Sequence, residues 1–301
     1  MNVIECRELG KSYGRTAALS DLTFTIKENT ITGLVGPNGA GKTTLLKIAA
    51  GFLRKSGGEV KVFSVDPFNS LKVSVNTVFV DDNMALPATL DLAGILDAAR
   101  RFYPKWDHQL ALRLFDYFSF DPGKLHKNLS KGQKSTFNMI LGLSARCALT
   151  IFDEPTVGMD AEVRKDFYRA LLQDYLHHPR TIIFSSHLLQ EVEDILEEIL
   201  LLREGRKRLH LPAAELREYA VGLRGDAGAV ERFIAGREIY RRERFGKDKI
   251  FVAVRNSFTG ASLQEAAAAG LEAVPVSAED LCVYLTSRSK GGIDDVFSDG
   301  N

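Results

Sequence analysis

The stretch that decides the fold reads Gly36-Pro37-Asn38-Gly39-Ala40-Gly41-Lys42-Thr43-Thr44. It follows a continuous apolar run at 31–35 and leads into a segment of helical character at 43–50. The stretch fits the pattern G-x-x-x-x-G-K-[ST], whose glycines permit a turn and let an anion come close to inward-pointing backbone amides. The helix that follows adds its positive N-terminal end. A strand, a glycine-rich loop and a helix in this order predict a phosphate-binding loop.

The side chains of this loop predict how a nucleotide is held. The Lys42 ammonium can reach β- and γ-phosphates, and the Thr43 hydroxyl can hold Mg²⁺. The predicted nucleotide-binding residues of the loop are Gly36, Asn38, Gly39, Ala40, Gly41, Lys42, Thr43 and Thr44. The loop alone does not say which phosphoryl chemistry follows.

Polar residues at the ends of two further apolar runs indicate which phosphoryl reaction the site performs. The run at 148–152 leads directly into Asp153 and Glu154, and ligands bind at the carboxyl ends of strands in open α/β sheets. Asp153 is suited to hold Mg²⁺, and Glu154 is suited to polarise an attacking water. The run at 181–185 precedes His187, whose imidazole is either a γ-phosphate ligand that orients this water or a structural residue. Together with the loop, these residues predict hydrolysis of a nucleotide.

With these motifs the chain resembles the ATP-binding subunits of ABC transporters. The decisive motif, Leu129-Ser130-Lys131-Gly132-Gln133, is similar to the LSGGQ signature of that family, with Lys131 in place of the first glycine. Residues 157–160 are similar to the family's D-loop, and His187 is similar to its switch histidine. Tyr13 stands where the family places an aromatic residue that stacks on adenine. The resemblance covers about residues 2–215 and implies ATP and Mg²⁺ as cofactors.

The resemblance also implies that two ATPase subunits work together. In this family the signature opens a helix, and its N-terminal end faces the γ-phosphate of ATP bound to the phosphate loop of a second subunit. We therefore expect Ser130 and Gly132 to act in catalysis together with Lys42, Glu154 and His187. The second subunit would be another copy of this chain or a paralogue, arranged head to tail.

One position departs from the family's pattern. The family usually has a glutamine that contacts Mg²⁺ at the end of a strand before the helical insertion, and this chain has Asp81-Asp82-Asn83 there. Asp82 is the best match to that position, and Asp81 is the alternative. A carboxylate is a good oxygen ligand for Mg²⁺, so we expect the metal to be held by Thr43, Asp82 and Asp153.

The order of strand-like and helical runs predicts the fold. Their alternation over the first two thirds predicts an α/β fold, which the resemblance identifies as a P-loop NTPase of the ABC type. We expect strands at 3–8 and 22–26, a mainly parallel core sheet, an antiparallel β subdomain and a helical insertion divided at Pro104. Short strand-like and helical runs near the C-terminus predict a small α+β module. The expected domains are an ATP-binding domain at 1–218 with its helical subdomain at about 91–147, the α+β module at 219–288 and a flexible tail at 289–301.

The composition excludes several other classes of protein. The 301 residues include 39 Lys+Arg and 39 Asp+Glu, and this balance argues against a generic basic nucleic-acid binder. No apolar run approaches the ~18 residues that a membrane span requires, and no signal peptide is recognisable. The three cysteines are far apart, which predicts no disulfide framework or zinc site. We expect a soluble chain in the cytoplasm, bound to the inner face of the cell membrane through a permease.

The expected function is that of an ATP-hydrolysing motor subunit that drives a separate integral-membrane permease. The variant loop at 81–83 and the segment 102–107 resemble those of bacterial ABC-2-type exporter ATPases. One alternative is a soluble ABC ATPase that acts on the ribosome or DNA, but the chain has one cassette and no long heptad run. Another is an adaptor that binds nucleotide without turnover, against which the intact Glu154 and His187 argue. The transported compound and its direction are not encoded here, because substrate contacts would lie in the permease.

Overall fold

The computed structural model describes residues 1–187 and 189–286 and divides the chain into two units. The first unit is Met1–Ala214, and the second begins at Glu215. The tail expected at 289–301 and the last two residues of the expected module lie outside the described residues. None of the helices in the described ranges is long and apolar enough to cross a membrane.

The first unit alternates strands with helices along most of its length. Its strands are β1 (Asn2–Tyr13), β2 (Thr16–Lys27), β3 (Ile31–Val35), β4 (Gly57–Val62), β5 (Thr77–Val80), β6 (Leu149–Asp153), β7 (Thr181–Ser186), β8 (Glu198–Arg203) and β9 (Arg206–Pro212). Its helices are α1 (Lys42–Ala49), α2 (Leu71–Asn76), α3 (Leu92–Phe102), α4 (His108–Tyr117), α5 (Lys131–Ser144) and α6 (Ala161–His177). The short helix α7 (Ala213–Glu218) follows β9.

The central sheet has the strand order β5-β6-β7-β3-β8-β9 and is parallel except for β9 at its edge. Every residue of β3 and β6 is buried, as expected for strands that are covered on both faces. The registers align the carboxyl ends of the three central strands, because Val35 pairs with Ser186 and Asp153 pairs with Ser185. Segments that leave β3, β6 and β7 therefore begin at the same edge of the sheet.

A second, antiparallel sheet has the strand order β2-β1-β4. Its apolar side chains share one hydrophobic core with Leu45, Leu46 and Ile48 of α1 and with residues of the central sheet. Strands β1 and β2 are longer than the strands expected at 3–8 and 22–26. Apart from the buried Leu9 and Leu19, the additional residues are exposed or half-buried, and no alternation of apolar side chains marks a strand there.

The predicted helical insertion consists of α3, α4 and α5. Helix α3 ends at Phe102 and α4 begins at His108, so the division expected at Pro104 is confirmed. Asp107 caps α4 by accepting a hydrogen bond from the backbone amide of Leu110 at 2.8 Å. Helix α5 is buried along its whole length from Ser135, which shows that it is the central helix of this region.

The second unit has the element order β-α-β-β-α-β, followed by a helix. Its four strands form an antiparallel sheet in the order β11-β12-β10-β13, which is a ferredoxin-like topology. The elements are β10 (Ala220–Asp226), α8 (Ala227–Phe233), β11 (Ile239–Phe245), β12 (Lys249–Arg255), α9 (Gly260–Ala268), β13 (Glu272–Pro275) and α10 (Ala278–Thr286). Charged residues dominate the edge strand β11, and this removes the apolar pattern by which a strand is recognised in a sequence.

Candidate nucleotide-binding site

A cleft of about 520 Å³ opens at the carboxyl ends of the central strands. It collects residues from the phosphate-binding loop, the loop after β5 and the end of β6. The lining residues are Ala18, Asn38, Gly39, Ala40, Gly41, Lys42, Thr43, Thr44, Lys47, Asp81, Asp82, Asn83, Asp153, Glu154 and Val157. Most of the residues expected to bind nucleotide or metal therefore face one space.

The loop that connects β3 to α1 depends on glycine at two positions. A Cβ atom on Gly36 would lie 2.4 Å from the Leu202 carbonyl oxygen, so the backbone passes too close to β8 for any side chain. Gly41 adopts φ +99°, and a Cβ there would lie 2.7 Å from the Ala18 carbonyl oxygen. These contacts hold the loop against the neighbouring strands and direct α1 towards the cleft.

The Lys42 ammonium is held inside the loop. The side chain is 5% exposed, and its Nζ donates a hydrogen bond to the Gly36 carbonyl oxygen at 2.7 Å. Nζ also lies 3.1 Å from Oε1 of Glu154, which follows β6. This contact joins two motifs that are far apart in the sequence. An ammonium held in a glycine-rich loop is also able to donate to phosphate oxygens.

Glu154 and His187 form the second contact across the cleft. The Nδ1 atom of His187 lies 2.6 Å from Oε2 of Glu154, so the imidazole and the Lys42 ammonium approach the two oxygens of one carboxylate. Glu154 has φ +49°, an uncommon conformation for a residue with a side chain. A carboxylate oriented from both sides in this way is suited to accept a proton from a water.

Ser185 supports both carboxylate residues, a role that the sequence pattern does not predict. Its hydroxyl donates to Asp153 Oδ1 at 2.5 Å and accepts from the Glu154 backbone amide at 2.9 Å. Ser185 is 1% exposed, so this hydroxyl exchanges no hydrogen bonds with solvent. The only sequence signal was a hydroxyl residue at the end of the apolar strand β7.

The expected metal ligands offer hard oxygen atoms. Thr43, Asp82 and Asp153 line the cleft together with Asp81. Asp82 is exposed and accepts a hydrogen bond from Asn83 Nδ2 at 2.7 Å, whereas Asp81 is half-buried. Burial raises the pKa of the Asp81 carboxyl, and the charges of Asp153 and Asp82 raise it further.

This donor set fits Mg²⁺ bound jointly with a nucleotide. Residues 1–187 and 189–286 contain no group of three or more His, Cys, Asp or Glu residues placed to hold a metal by themselves. Mg²⁺ is usually bound through one or two carboxylates together with substrate phosphates and water, and this arrangement needs no such cage. A hydroxyl and one or two carboxylates beside a phosphate-binding loop provide these ligands.

Ser130 and Gly132 lie at the start of α5 and are not among the residues that line the cleft. Ser130 caps the helix in a reciprocal pair with Gln133, each accepting a hydrogen bond from the other's backbone amide, at 3.1 and 3.2 Å. A Cβ atom on Gly132 would lie 2.3 Å from the Gly158 carbonyl oxygen. The expected signature therefore packs directly on the segment 157–160, and this contact requires glycine at position 132.

Tyr13 also lies outside the lining of the cleft. It ends β1 with half of its surface exposed, and the Lys11 ammonium lies 5.1 Å from the centre of its ring. An exposed ring of this kind is available for stacking on a base. Its role as the adenine-stacking residue stays a prediction.

Comparison with known proteins agrees with this geometry. A profile of the ABC transporter family matches residues 19–157. The zinc uptake system ATP-binding protein ZurA of Listeria monocytogenes is 30% identical over 214 residues, which are 66% of this chain and 81% of that protein. The chain belongs to the ABC transporter family. The ABC transporter ATP-binding protein YtrB of Bacillus subtilis is 29% identical over 216 residues, covering 72% of this chain and 74% of YtrB.

Solved structures of ABC ATPase cassettes have the same fold. An ATP-binding subunit of an ABC transporter superimposes with a TM-score of 0.65 at 21% identity, covering 71% of this chain and 92% of that structure. A dimeric ATP-binding cassette in a post-hydrolysis state with ADP and Pi gives a TM-score of 0.62 at 19% identity, covering 70% of this chain and 98% of that structure. The expected fold class is confirmed, and the chain is an ATPase of the ABC class.

Proposed function

We propose that this chain is the motor subunit of an ABC transporter, which binds Mg-ATP in a head-to-tail dimer and couples its hydrolysis to a separate integral-membrane permease. The observation that carries the proposal is the contact of Glu154 with both Lys42 and His187 at the edge of one cleft. A phosphate-binding ammonium, a carboxylate base and an orienting imidazole are the groups that attack of water on a γ-phosphate needs.

Different residues at the cleft have different roles in ATP hydrolysis. Lys42 and the loop amides hold the β- and γ-phosphates, and bound Mg²⁺ supplies charge that polarises the phosphate oxygens. Glu154 accepts the proton of the attacking water, and His187 holds this carboxylate in place at 2.6 Å. Ser185 fixes Asp153 and the Glu154 backbone, so the metal ligand and the base keep a constant separation.

The position of the signature supports a dimer. Ser130 and Gly132 lie outside the chain's own cleft, at a helix N-terminus that can bind an anion. In a head-to-tail dimer this end would reach the γ-phosphate in the cleft of the second subunit, which is a copy of this chain or a paralogue. A cassette structure that resembles this fold is described as dimeric.

The relatives support a role beside a permease. ZurA is named as the ATP-binding protein of a zinc uptake system, and YtrB as that of an ABC transporter. By this proposal the chain works on the cytoplasmic face of the cell membrane, held there by its permease. We further propose that it serves an ABC-2-type exporter, on the strength of the aspartates at 81–82 and the aromatic segment 102–107.

The catalytic part of the proposal is tested with Glu154→Gln, which keeps the shape of the side chain and removes the base. We expect phosphate release from Mg-ATP to fall by about 10²–10⁴-fold, the usual contribution of a general base, while ATP still binds. Glu59→Gln is the matched control: Glu59 is an exposed residue of β4, and this variant should hydrolyse ATP at the parental rate. Near-normal turnover of Glu154→Gln would refute this role, and a parental protein without any turnover would favour the non-hydrolysing adaptor.

The transport part of the proposal is tested by purifying the tagged chain from detergent-solubilised membranes. We expect an integral-membrane protein to co-purify in stoichiometric amount. Recovery of the chain with ribosomes or DNA instead would favour the soluble, non-transport class of ABC ATPases and refute the proposed coupling.

A further inference from the structure

A buried amide side chain lies in the apolar part of α5. Asn138 is 1% exposed and stands between Phe137 and Met139, both fully buried. Its Nδ2 donates a hydrogen bond to the Asp81 backbone carbonyl at 3.1 Å, and its Oδ1 lies 2.9 Å from His126 Nε2. A buried amide is costly unless its polar atoms are paired, and here both partners belong to segments outside the helix. Asn138 therefore holds two loops at once.

The two loops belong to different functional parts of the protein. Asp81 is the first residue after β5, and it lines the nucleotide cleft. His126 begins the short 3₁₀ turn His126–Asn128, and its carbonyl accepts a hydrogen bond from the Leu129 amide at 3.1 Å, directly before Ser130. The path His126–Asn138–Asp81 thus connects the start of the signature with the rim of the chain's own cleft.

Close packing of α5 against β5 makes this connection stiff. A Cβ atom on Gly142, one turn beyond Asn138, would lie 2.7 Å from Val80 Cγ2 and 2.8 Å from Phe152 Cε1. The helix therefore cannot move towards the sheet without displacing Val80, the residue before Asp81.

The protonation of the pair follows from its partners. The Asn138 amide nitrogen is committed to the Asp81 carbonyl, so Asn138 Oδ1 is the acceptor and His126 Nε2 is the donor. Burial lowers the pKa of His126, which keeps this imidazole neutral near pH 7. The path His126–Asn138–Asp81 then consists of two hydrogen bonds between neutral groups, with His126 donating to Asn138 and Asn138 donating to Asp81.

We propose that Asn138 is a positioning residue that couples segment 81–83, on the rim of the cleft, to the turn ahead of Ser130. Binding of Mg-nucleotide in one cleft then sets the position of the signature that serves the second cleft. This rests on the proposed function, in which 81–83 faces the metal and Ser130 acts on the ATP of the second subunit.

A fluorescent probe on the turn tests the coupling directly. The full-length chain carries Lys127→Cys, because Lys127 is exposed whereas Cys6, Cys147 and Cys282 are buried and should not be labelled. MgADP is the ligand, since it brings metal and β-phosphate to the cleft without the γ-phosphate that the signature would contact. We expect MgADP to change the fluorescence of the labelled parent.

The variant Asn138→Leu keeps a side chain of similar size and removes both hydrogen bonds. We expect the MgADP response of the probe to fall at least ~5-fold and kcat for ATP to fall about tenfold, because at least one of the two lost bonds contributes in the transition state. The Kd for MgADP should stay within about twofold, since none of the residues that would bind it is altered. A merely structural role would not separate kcat from Kd in this way.

Two further variants complete the design. His126→Phe keeps an aromatic ring against Phe137 and removes the hydrogen bond between position 126 and Asn138. In the unlabelled protein its kcat should also fall, as in Asn138→Leu. Ser144→Ala is the matched control on the same helix: Ser144 is buried, and its hydroxyl has no hydrogen-bond partner among the described residues. This control should keep the parental kcat and probe response.

The outcomes separate this proposal from the proposed function. The coupling is refuted if folded Asn138→Leu keeps the parental response and kcat, if Ser144→Ala loses them equally, or if the labelled parent does not respond to MgADP. It is also refuted if Asn138→Leu and His126→Phe both fail to fold, because Asn138 is then a purely structural residue. A parent that does not hydrolyse ATP contradicts the proposed function, and the MgADP response still decides the coupling.

Discussion

Removal of the Ser185 hydroxyl, which supports two residues of the cleft from below, is the most informative single change at this site. The variant Ser185→Ala takes away the donor to Asp153 Oδ1 at 2.5 Å and the acceptor of the Glu154 amide at 2.9 Å. Ser185 is only 1% exposed, so water cannot readily take the place of its hydroxyl in these two bonds. The substitution itself removes one oxygen and leaves the backbone of β7 unchanged.

The expected magnitude follows from these two bonds. Leaving a buried polar group unpaired costs about 1–3 kcal/mol, and a bond to a charged group is at the upper end of what hydrogen bonds contribute. If about 2 kcal/mol of this is lost in the transition state, kcat falls about 30-fold. The same loss in the ground state would lower the melting temperature by about 4–8 °C for a domain of this size.

The assay measures phosphate release at saturating Mg-ATP together with thermal unfolding of the same samples. Thr32→Val is the matched control, because Thr32 is a fully buried hydroxyl residue in the adjacent strand β3. Within the described part of the chain its Oγ1 has no hydrogen-bond partner, so the substitution should be nearly neutral. If Ser185→Ala matches this control in both kcat and melting temperature, Ser185 does not anchor the two carboxylate residues.

Two other perturbations test the signature contact and the pH dependence of stability. Gly132→Ala places a Cβ 2.3 Å from the Gly158 carbonyl oxygen, so the backbone must move. We expect ATP turnover to be at least ~10-fold slower, while the affinity for ATP, measured by equilibrium binding, stays unchanged. Unchanged turnover would show that this contact does not matter for catalysis. Burial lowers the pKa of His210 below its ordinary value of about 6.5, although Glu198 opposes this shift. The unfolded state then binds more protons between the two pKa values, so stability should fall as the pH drops below about 6.5. Melting temperatures between pH 7.5 and 5.5 should fall less in His210→Gln than in the parent, and parallel curves would refute this cause.

Much of the site was predictable because its chemistry lies in short, contiguous motifs. The loop at 36–44 determines its own turn and amide arrangement, and apolar strands place Asp153 and His187 at the same edge of a parallel sheet. The sequence alone left open whether Asp82 or Asp81 of segment 81–83 is the metal ligand. Asp81 and Asp82 differ in burial, and neighbours in space set that difference.

The sequence by itself determined the phosphate-binding loop, the two carboxylate residues at the end of β6 and the membership in a family. Tertiary structure alone showed that Ser185 supports those carboxylates and that Asn138 joins His126 to Asp81. The physical reason is that a hydrogen bond between distant segments depends on the position of both partners, and it leaves neither periodicity nor spacing in the chain. A sequence motif shows which functional groups are available, and the tertiary fold determines which of them come into contact.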